Sequence, residues 1–462
     1  MWFVLNGRIG AMKKLWILLR AIIFLIILGL TIFGIQRFFG PDHIRSFEHE
    51  RGFAEQRNGS LDAVYIGGSD VHAFWQPMFG WADHGIAVWS FSIDALSIRA
   101  VMPMLREARR SQPNALYIIS LSAFKKDSAK PSMVDIHRAV DYQPFSFNKI
   151  RSIEYLTEGT EFQGLDKLEF YFPIIRFHSR WDELRPWVFN APSTDYKGSM
   201  HANYFLSNIE DQTGRIVTDD ATTPLPDDVK AELLAVLDYC DEEKVNTLFV
   251  KSPQADTKEE LGRMNSAEAL IKERGYPCVD MLDEFEKTGI QTDTDFYNDR
   301  HTNVHGSLKF SKYLGDYLVE HYGFEDKRGQ PEWESWDKSW ESYLSYIAPQ
   351  CLPIEREHVP RDYSLSAPKV NSPEVNKRTI HVTWNASKGA TGYAVFRKTP
   401  AENEYAWKLL TVVDADTLSY DDKNLKKKTA YTYTVVPYRE GPEGRLYGCF
   451  SYSGKKATTG GK

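Results

Sequence analysis

Two residues far apart in this chain have the types needed to do chemistry together. Ser69 lies in Tyr65-Ile66-Gly67-Gly68-Ser69-Asp70, and His301 lies in Asp295-Phe296-Tyr297-Asn298-Asp299-Arg300-His301-Thr302-Asn303. A serine hydroxyl is a poor nucleophile near neutral pH until an imidazole accepts its proton, and the same imidazole can later protonate a leaving alcohol. Ser69 ends an apolar run, Leu61–Ile66, on a two-glycine turn, which exposes the hydroxyl and turns the neighbouring amides outward. Such a pair points to acyl-ester chemistry. A Gly-Gly-Ser turn alone is usually only a turn, and a histidine before a helix is usually a surface or capping residue. The expectation therefore rests on their conjunction.

For the two to meet, the intervening chain must fold back on itself. Short apolar runs at Ala63–Ile66, Ile86–Phe91, Leu116–Leu121, Thr247–Val250 and Cys278–Leu282 read as buried strands. Helical periodicity fills Ala95–Arg109, Asp228–Glu242, Lys258–Arg274 and Ser307–Leu318. This alternation predicts an α/β fold, a parallel sheet with helices on both faces, and in such sheets sites form outside the carboxyl ends of the strands. Ser69 falls at such an end. The stretch Lys125–Thr223, rich in aromatic and charged residues, is too long for a connection and reads as an inserted subdomain or lid. Trp333, Trp336, Trp340, Tyr343 and Ile347 recur at helical spacing, which is expected to pack a helix against its own domain rather than to bind sugar.

The chain's 462 residues exceed one compact core, so several domains are expected. From Leu15 to Ile35 the sequence is apolar apart from Arg20 and long enough to cross a bilayer. Arg8, Lys13, Lys14 and Arg20 precede its uncharged part, which places the N-terminus in the cytoplasm and the bulk of the chain outside. Ile32-Phe33-Gly34-Ile35-Gln36 lacks a small-x-small cleavage pattern, so the segment reads as an uncleaved anchor, with Met12 as a second candidate start. The net charge is −7, so setting those four cations aside leaves −11 on the remainder. An acidic exported portion gives no support to nucleic-acid binding. Four scattered cysteines (Cys240, Cys278, Cys351 and Cys449) form no CxxC pair and are expected as buried free thiols.

The tail alternates at period two in Thr379–Trp384, Gly392–Arg397, Lys408–Val412 and Ala430–Tyr438, which predicts a sandwich of short antiparallel strands. Here the sequence resembles a fibronectin type III domain. Trp384 matches the early core tryptophan, Gly389-Ala390-Thr391-Gly392-Tyr393-Ala394-Val395 the turn into the next strand, and Ala430–Val435 the late tyrosine strand. The divisions expected are 1–36 cytoplasmic N-terminus and anchor, 37–60 stalk, 61–325 α/β domain with an insertion at about 125–223, 326–365 tryptophan-rich connector, and 366–459 fibronectin-like domain.

Gly67-Gly68-Ser69-Asp70-Val71 resembles the nucleophile block of SGNH (GDSL-type) hydrolases, and the His301 segment, with Asn303 and Gly306 following, resembles that superfamily's final block. The flavour is that of a membrane-anchored, extracytoplasmic bacterial branch related to polysaccharide O-acetylation and teichoic-acid D-alanylation proteins. The resemblance covers roughly Leu61–Tyr322 and implies a flavodoxin-like three-layer α/β/α fold, with Ser69 as nucleophile and His301 as base. It also implies an aspartate three residues before the histidine, where this chain has Asn298. Asn298 can orient an imidazole without stabilising its charge; Asp295 and Asp299 are both near enough in sequence to substitute.

The superfamily's oxyanion residues are also replaced. Trp89-Ser90-Phe91-Ser92 offers no glycine and Ser120-Leu121-Ser122-Ala123 no asparagine, which leaves backbone amides of Ser69 and Ser92 as donors. Gly68, Asp70, Ser92 and Asn303 complete the candidate oxyanion and substrate-binding set, with a helix-capping role as the alternative for Asp70. His301 and His305 are four apart, but no glutamate follows His301 and no third ligand is evident, so neither a metal nor another cofactor is expected. The expected substrate is an acyl, chiefly acetyl, ester on a cell-envelope polysaccharide or related polymer, with a membrane acyl-donor partner if the reaction is transfer. The alternative is a non-catalytic surface protein, for adhesion or glycan binding, on a degenerate SGNH scaffold.

Overall fold

The computed structural model describes residues 2–38, 52–179, 196–399, 407–442 and 444–460. Helix α1 (Trp2–Phe38) contains the candidate membrane span Lys14–Ile32, none of which is buried by the rest of the protein. Most of the expected stalk, residues 39–51, lies outside the described residues. Phe53, in the described remainder of the expected stalk, instead packs into the core with its ring 4.6 Å from Phe91 and 6.0 Å from Trp89. An aromatic side chain of that size is more stable against the sheet than in water, so the packed region starts ahead of residue 61.

Five strands form one parallel sheet: β1 (Ala63–Gly67), β2 (Val88–Ser92), β3 (Leu116–Ser120), β4 (Thr247–Lys251) and β5 (Cys278–Asp280). Every residue of the first four is buried, as apolar runs with both faces covered must be. The spatial order is β2-β1-β3-β4-β5. The chain thus leaves β1 toward one side and later returns to its other side, which makes β1's carboxyl end the topological switch point of the sheet. Register pairs Gly67 with Ser92 and Ile66 with Ile119, so the ends of three strands come together where the Gly-Gly-Ser turn begins.

Three helices follow β1 and β2: α2 (Ser69–Phe74), α3 (Pro77–His84) and α4 (Val101–Ser111). The periodicity at Ala95–Arg109 overstates the last of these. Ala95 adopts a left-handed φ of 53°, which no regular helix accommodates, and a 3-10 turn at Ile98–Ala100 precedes the helix. The helices α5 (Asp227–Glu242) and α6 (Lys258–Glu273) flank β4, the second opened by a Thr257–Glu260 capping box. The stretch 125–223 contains helices at Met133–Val140, Phe147–Thr157, Leu165–Tyr171, Pro173–Phe177 and Asn203–Ser207, while its residues 180–195 lie outside the described set. Ile136, Ile153, Leu156 and Phe170 from it join the same core as the sheet, so its helices are part of the α/β body.

A small hairpin, β6 (Phe296–Asn298) and β7 (His301–Thr302), leads into α7 (Val304–Tyr322), and α8 (Glu334–Ile347) follows. The tryptophan stripe is core: Trp333, Trp336, Tyr343 and Ile347 are buried, with Trp336 5.3 Å from Trp81 and 6.4 Å from Trp89. Beyond it, two antiparallel sheets pack on a shared apolar centre. One comprises β8 (Glu374–Asn376), β9 (Thr379–Thr383) and β12 (Ser419–Asp422); the other comprises β10 (Gly392–Lys398), β11 (Lys408–Asp414), β13 (Ala430–Gly441), β14 (Gly444–Tyr447) and β15 (Lys455–Thr458). Val370, Ile380, Val382 and Trp384 meet Tyr393, Val395, Tyr433 and Val435 between the sheets. The outer face of the larger sheet takes Leu352 and Ile354. All four cysteines are free.

Candidate active site

The turn after β1 is built for close approach. A Cβ on Gly67 would lie 2.8 Å from the Ser120 Cβ on the neighbouring strand, inside any tolerable contact. Gly68 caps α2 with extended backbone, and Val71 donates to the Gly68 carbonyl, so the Ser69 and Asp70 amides precede the first intrahelical bond. Ser69 is only part-buried, whereas Gly67, Gly68 and Asp70 around it are buried.

His301 is delivered by three fixings. Thr302 Oγ1 donates to the Ala73 carbonyl at 2.7 Å, which ties the hairpin to the end of α2. Asn303 caps α7, its Oδ1 accepting from the His305 and Gly306 amides, while its Nδ2 donates to the Thr294 and Asn208 carbonyls. Tyr297 stacks on the imidazole at 5.3 Å and 9°, and Tyr204 packs edge-on against Tyr297 at 4.9 Å. The result brings His301 Nε2 to 2.7 Å from Ser69 Oγ across 232 residues of sequence.

The proton inventory at His301 follows from its other side. Asn298 Oδ1 lies 2.9 Å from His301 Nδ1 and also accepts the Arg300 backbone N–H at 2.9 Å. A backbone N–H can only donate, so the Asn298 oxygen, not its amide nitrogen, must face both groups. Nδ1 therefore carries the proton and Nε2 presents its lone pair to the Ser69 hydroxyl. Burial pushes the His301 pKa down to about 4; Asp94 and Asp299 act to raise it, and Lys125 and Arg300 to lower it. At neutral pH the imidazole is an uncharged acceptor.

Of the three candidates for the position behind His301, the structure brings Asn298 there and not the two aspartates. The hairpin sets Asn298 opposite His301 in register. Asp295 precedes it and is buried elsewhere, paired with Lys309 Nζ at 2.5 Å and accepting from the Gln291 amide and Thr294 Oγ1. Asp299 is 43% exposed at its side chain, faces Arg215 at 3.5 Å, and reaches the imidazole only through its field.

The remaining candidates divide. Asp70 Oδ2 accepts from Ser120 Oγ at 2.5 Å, which makes it a buried clasp between α2 and β3. Asn303 is spent on its capping and loop contacts, and it holds the histidine segment rather than facing the serine. Ser92 stands at the end of β2 beside the Ser69 turn, its Oγ 3.1 Å from His72 Nδ1 and 3.3 Å from Ser90 Oγ. Sequence reasoning passed over His72, although its place three residues after Ser69 on a helix puts it on the site's side. It also passed over a charged cluster at the ends of β3 and β4. There Lys125 Nζ donates to Gln254 Oε1 at 2.5 Å and Asp256 Oδ1 at 2.6 Å, Arg300 reaches Asp256 and Glu260, and the Ala255 amide bonds the Asp299 carbonyl.

Ligand atoms of His305, Cys351 and Glu355, all buried, lie within 4.8 Å of one another, as a metal site would require. His305 Nδ1 already pairs with Glu355 Oε1 at 2.9 Å, the other Glu355 oxygen accepts the Leu352 amide, and Tyr452 stacks on the imidazole at 3.5 Å. The grouping is complete as an ion-paired clasp between α7, the connector and the β domain.

No family model matches this chain, and no curated protein does. Among solved structures, a β-1,2-glucanase from Parabacteroides distasonis is 17% identical over 22% of this chain, with a TM-score of 0.19, and this chain spans only 14% of it. The FN5 domain of Drosophila Lar is 22% identical over 21% of this chain and 99% of its own length, with a TM-score of 0.17. An FN3 domain of human collagen XX is 19% identical over 22% of this chain and 98% of its own, at the same TM-score of 0.17.

Proposed function

We propose that this protein is a membrane-anchored, extracytoplasmic serine esterase or O-acyltransferase of SGNH type, acting on acyl esters of a cell-envelope glycan or related polymer. The observation that carries the reading is the Asn298–His301–Ser69 chain, in which each donor has one acceptor and the serine proton has a vacant lone pair to move to. The order β2-β1-β3-β4-β5 agrees with a flavodoxin-like sheet, and Ser69 stands at its switch point. The apolar, unburied span Lys14–Ile32 supports an anchor, and the four cations before or within its start support a cytoplasmic N-terminus. The two-sheet tail supports a fibronectin-like spacer or adhesion module.

In this mechanism Ser69 Oγ attacks the ester carbonyl carbon while its proton passes to His301 Nε2. The C–O bond to the alcohol then breaks, and the departing oxygen takes that proton, leaving the acyl group on Ser69. Water or a sugar hydroxyl next gives its proton to Nε2 and attacks the acyl carbon; the bond to Ser69 Oγ then breaks, Nε2 returns the proton to that oxygen, and an acid or a new ester is released. The amides of Ser69 and Ser92 are the donors assigned to the oxyanion, since backbone N–H groups do not depend on the missing glycine and asparagine.

Full-length protein in detergent, treated with a fluorophosphonate probe and with an aryl acetate, tests the reading. Labelling and turnover are expected in the parent and lost in Ser69→Ala and His301→Ala. Labelling that persists in Ser69→Ala removes the nucleophile assignment, and an inert parent favours a surface-binding protein.

A further inference from the structure

The relay at Ser69 lacks a carboxylate, and the charge that forms on His301 during catalysis needs an anion from somewhere. Asp94 stands in the right place to provide it. It follows β2 directly, where the Ile93 amide donates to the Gly67 carbonyl at 3.2 Å, and so lies over the turn that presents Ser69. Leu96, two residues on, comes within 3.6 Å of where a Gly68 Cβ would be. The segment is held from below by His72, whose Nδ1 meets Ser92 Oγ at 3.1 Å and whose Nε2 lies 3.5 Å from Asp94 Oδ1. His72 is almost entirely buried, while the Asp94 side chain is 44% exposed at the rim.

We infer that Asp94, fastened by His72, is a positioning residue that stabilises the His301 imidazolium across the site in place of the absent triad carboxylate. The inference rests on the acyl-transfer reading above. Among the described charged groups acting on His301, Asp94 has the largest effect, ahead of Lys125, Asp299 and Arg300. Those three are each engaged elsewhere: Lys125 with Asp256, Asp299 with Arg215, and Arg300 with Asp256 and Glu260. Asp70, on the same helix as Ser69, is turned toward Ser120. Asn298 sets the tautomer but contributes no net charge. Dividing the two tasks between Asn298 and Asp94 lets the imidazole stay neutral at rest and still find a counter-charge when protonated.

The test uses full-length protein with histidines labelled at Cε1, so that the His301 titration is read by NMR and assigned with His301→Gln. The pH profile of fluorophosphonate labelling is measured in parallel. Asp94→Asn is expected to lower the His301 pKa by about half a unit and to slow labelling ~3-fold at neutral pH, the rate equivalent of that shift. Asp94→Glu should restore most of both, and His72→Gln should move the titration in the same direction by less. An unshifted His301 titration in Asp94→Asn overturns the inference, even where the parent labels and Ser69→Ala does not. If instead the parent never labels while His301 still shifts with Asp94, the charge relationship holds and the acyl-transfer reading fails.

Discussion

Asn298 Oδ1 accepts from both His301 Nδ1 and the Arg300 amide, and that shared acceptor fixes which imidazole nitrogen is free for Ser69. Under the proposed acyl-transfer chemistry, an asparagine here does one of the two tasks of a triad aspartate, the orientational one. Asn298→Asp tests the division. A carboxylate at this position should raise the His301 pKa by ~1–2 units. It should also move the acid limb of labelling to correspondingly higher pH. Asn298→Leu, which removes the acceptor, should slow labelling by about 100-fold without moving Ser69. Equal rates for Asn298→Leu and the parent would show that the tautomer is held by something else.

The pH dependence of the parent follows from the same histidine. Its pKa is depressed by burial to about 4, so the neutral base persists well below the usual titration range. Labelling should keep its full rate from neutrality down to about pH 5 and reach half near pH 4, provided the fold survives. The linked stability has the opposite limb from a salt-bridged histidine. In the window between 6.5 and about 4 the unfolded chain binds this proton and the folded one does not. The contribution is therefore full above 6.5 and is lost as pH falls through the window, and His301→Gln should flatten that part of a stability–pH curve. A labelling midpoint near 6.5 would contradict the burial argument.

Tyr297 supports the imidazole by stacking, and Tyr204 supports Tyr297. Tyr297→Ala should cost ~10-fold in labelling rate through loss of orientation. Its effect on the unfolding midpoint should be small, since Tyr297 is only part-buried. A rate equal to the parent's would mean the hairpin alone holds His301.

Two substitutions test the scaffold away from the chemistry. Trp336 is buried among Trp81, Trp89 and Trp333, and Trp336→Ala should destabilise the α/β body by about 3–5 kcal/mol, read as a fall in the denaturation midpoint. Glu355 is held below its ordinary carboxyl range: burial would raise it, but His305, Arg361 and the Leu352 amide more than offset that. Glu355→Gln leaves buried His305 without its anion and should cost about 3 kcal/mol, with the connector near Leu352 becoming the first site of protease cleavage. Unchanged proteolysis there would show the clasp to be dispensable.

Much of this architecture is legible in the residues themselves. The apolar runs locate all five parallel strands to within two residues at each end, because a strand covered on both faces must be apolar throughout. The tail's alternation locates β9, β10, β11 and β13, which set one face on the shared core, and leaves the shorter β8, β12, β14 and β15 unmarked, since three or four residues are too few to show a period. The same local rules misplace the start of α4, since nothing in the periodicity signals the left-handed backbone at Ala95. They place Phe53 in a stalk, since its partners Trp89 and Phe91 lie more than thirty residues away. At the site, residue types and spacing single out Ser69 and His301, because a hydroxyl on a glycine turn and an imidazole before a helix are local features. Which of Asn298, Asp295 and Asp299 stands behind His301 was decided by the hairpin register and by Lys309 drawing Asp295 away. The neighbourhood of His72 and Asp94 was likewise decided by β2 lying beside β1. Those choices depend on distances between segments, and only the folded chain sets them.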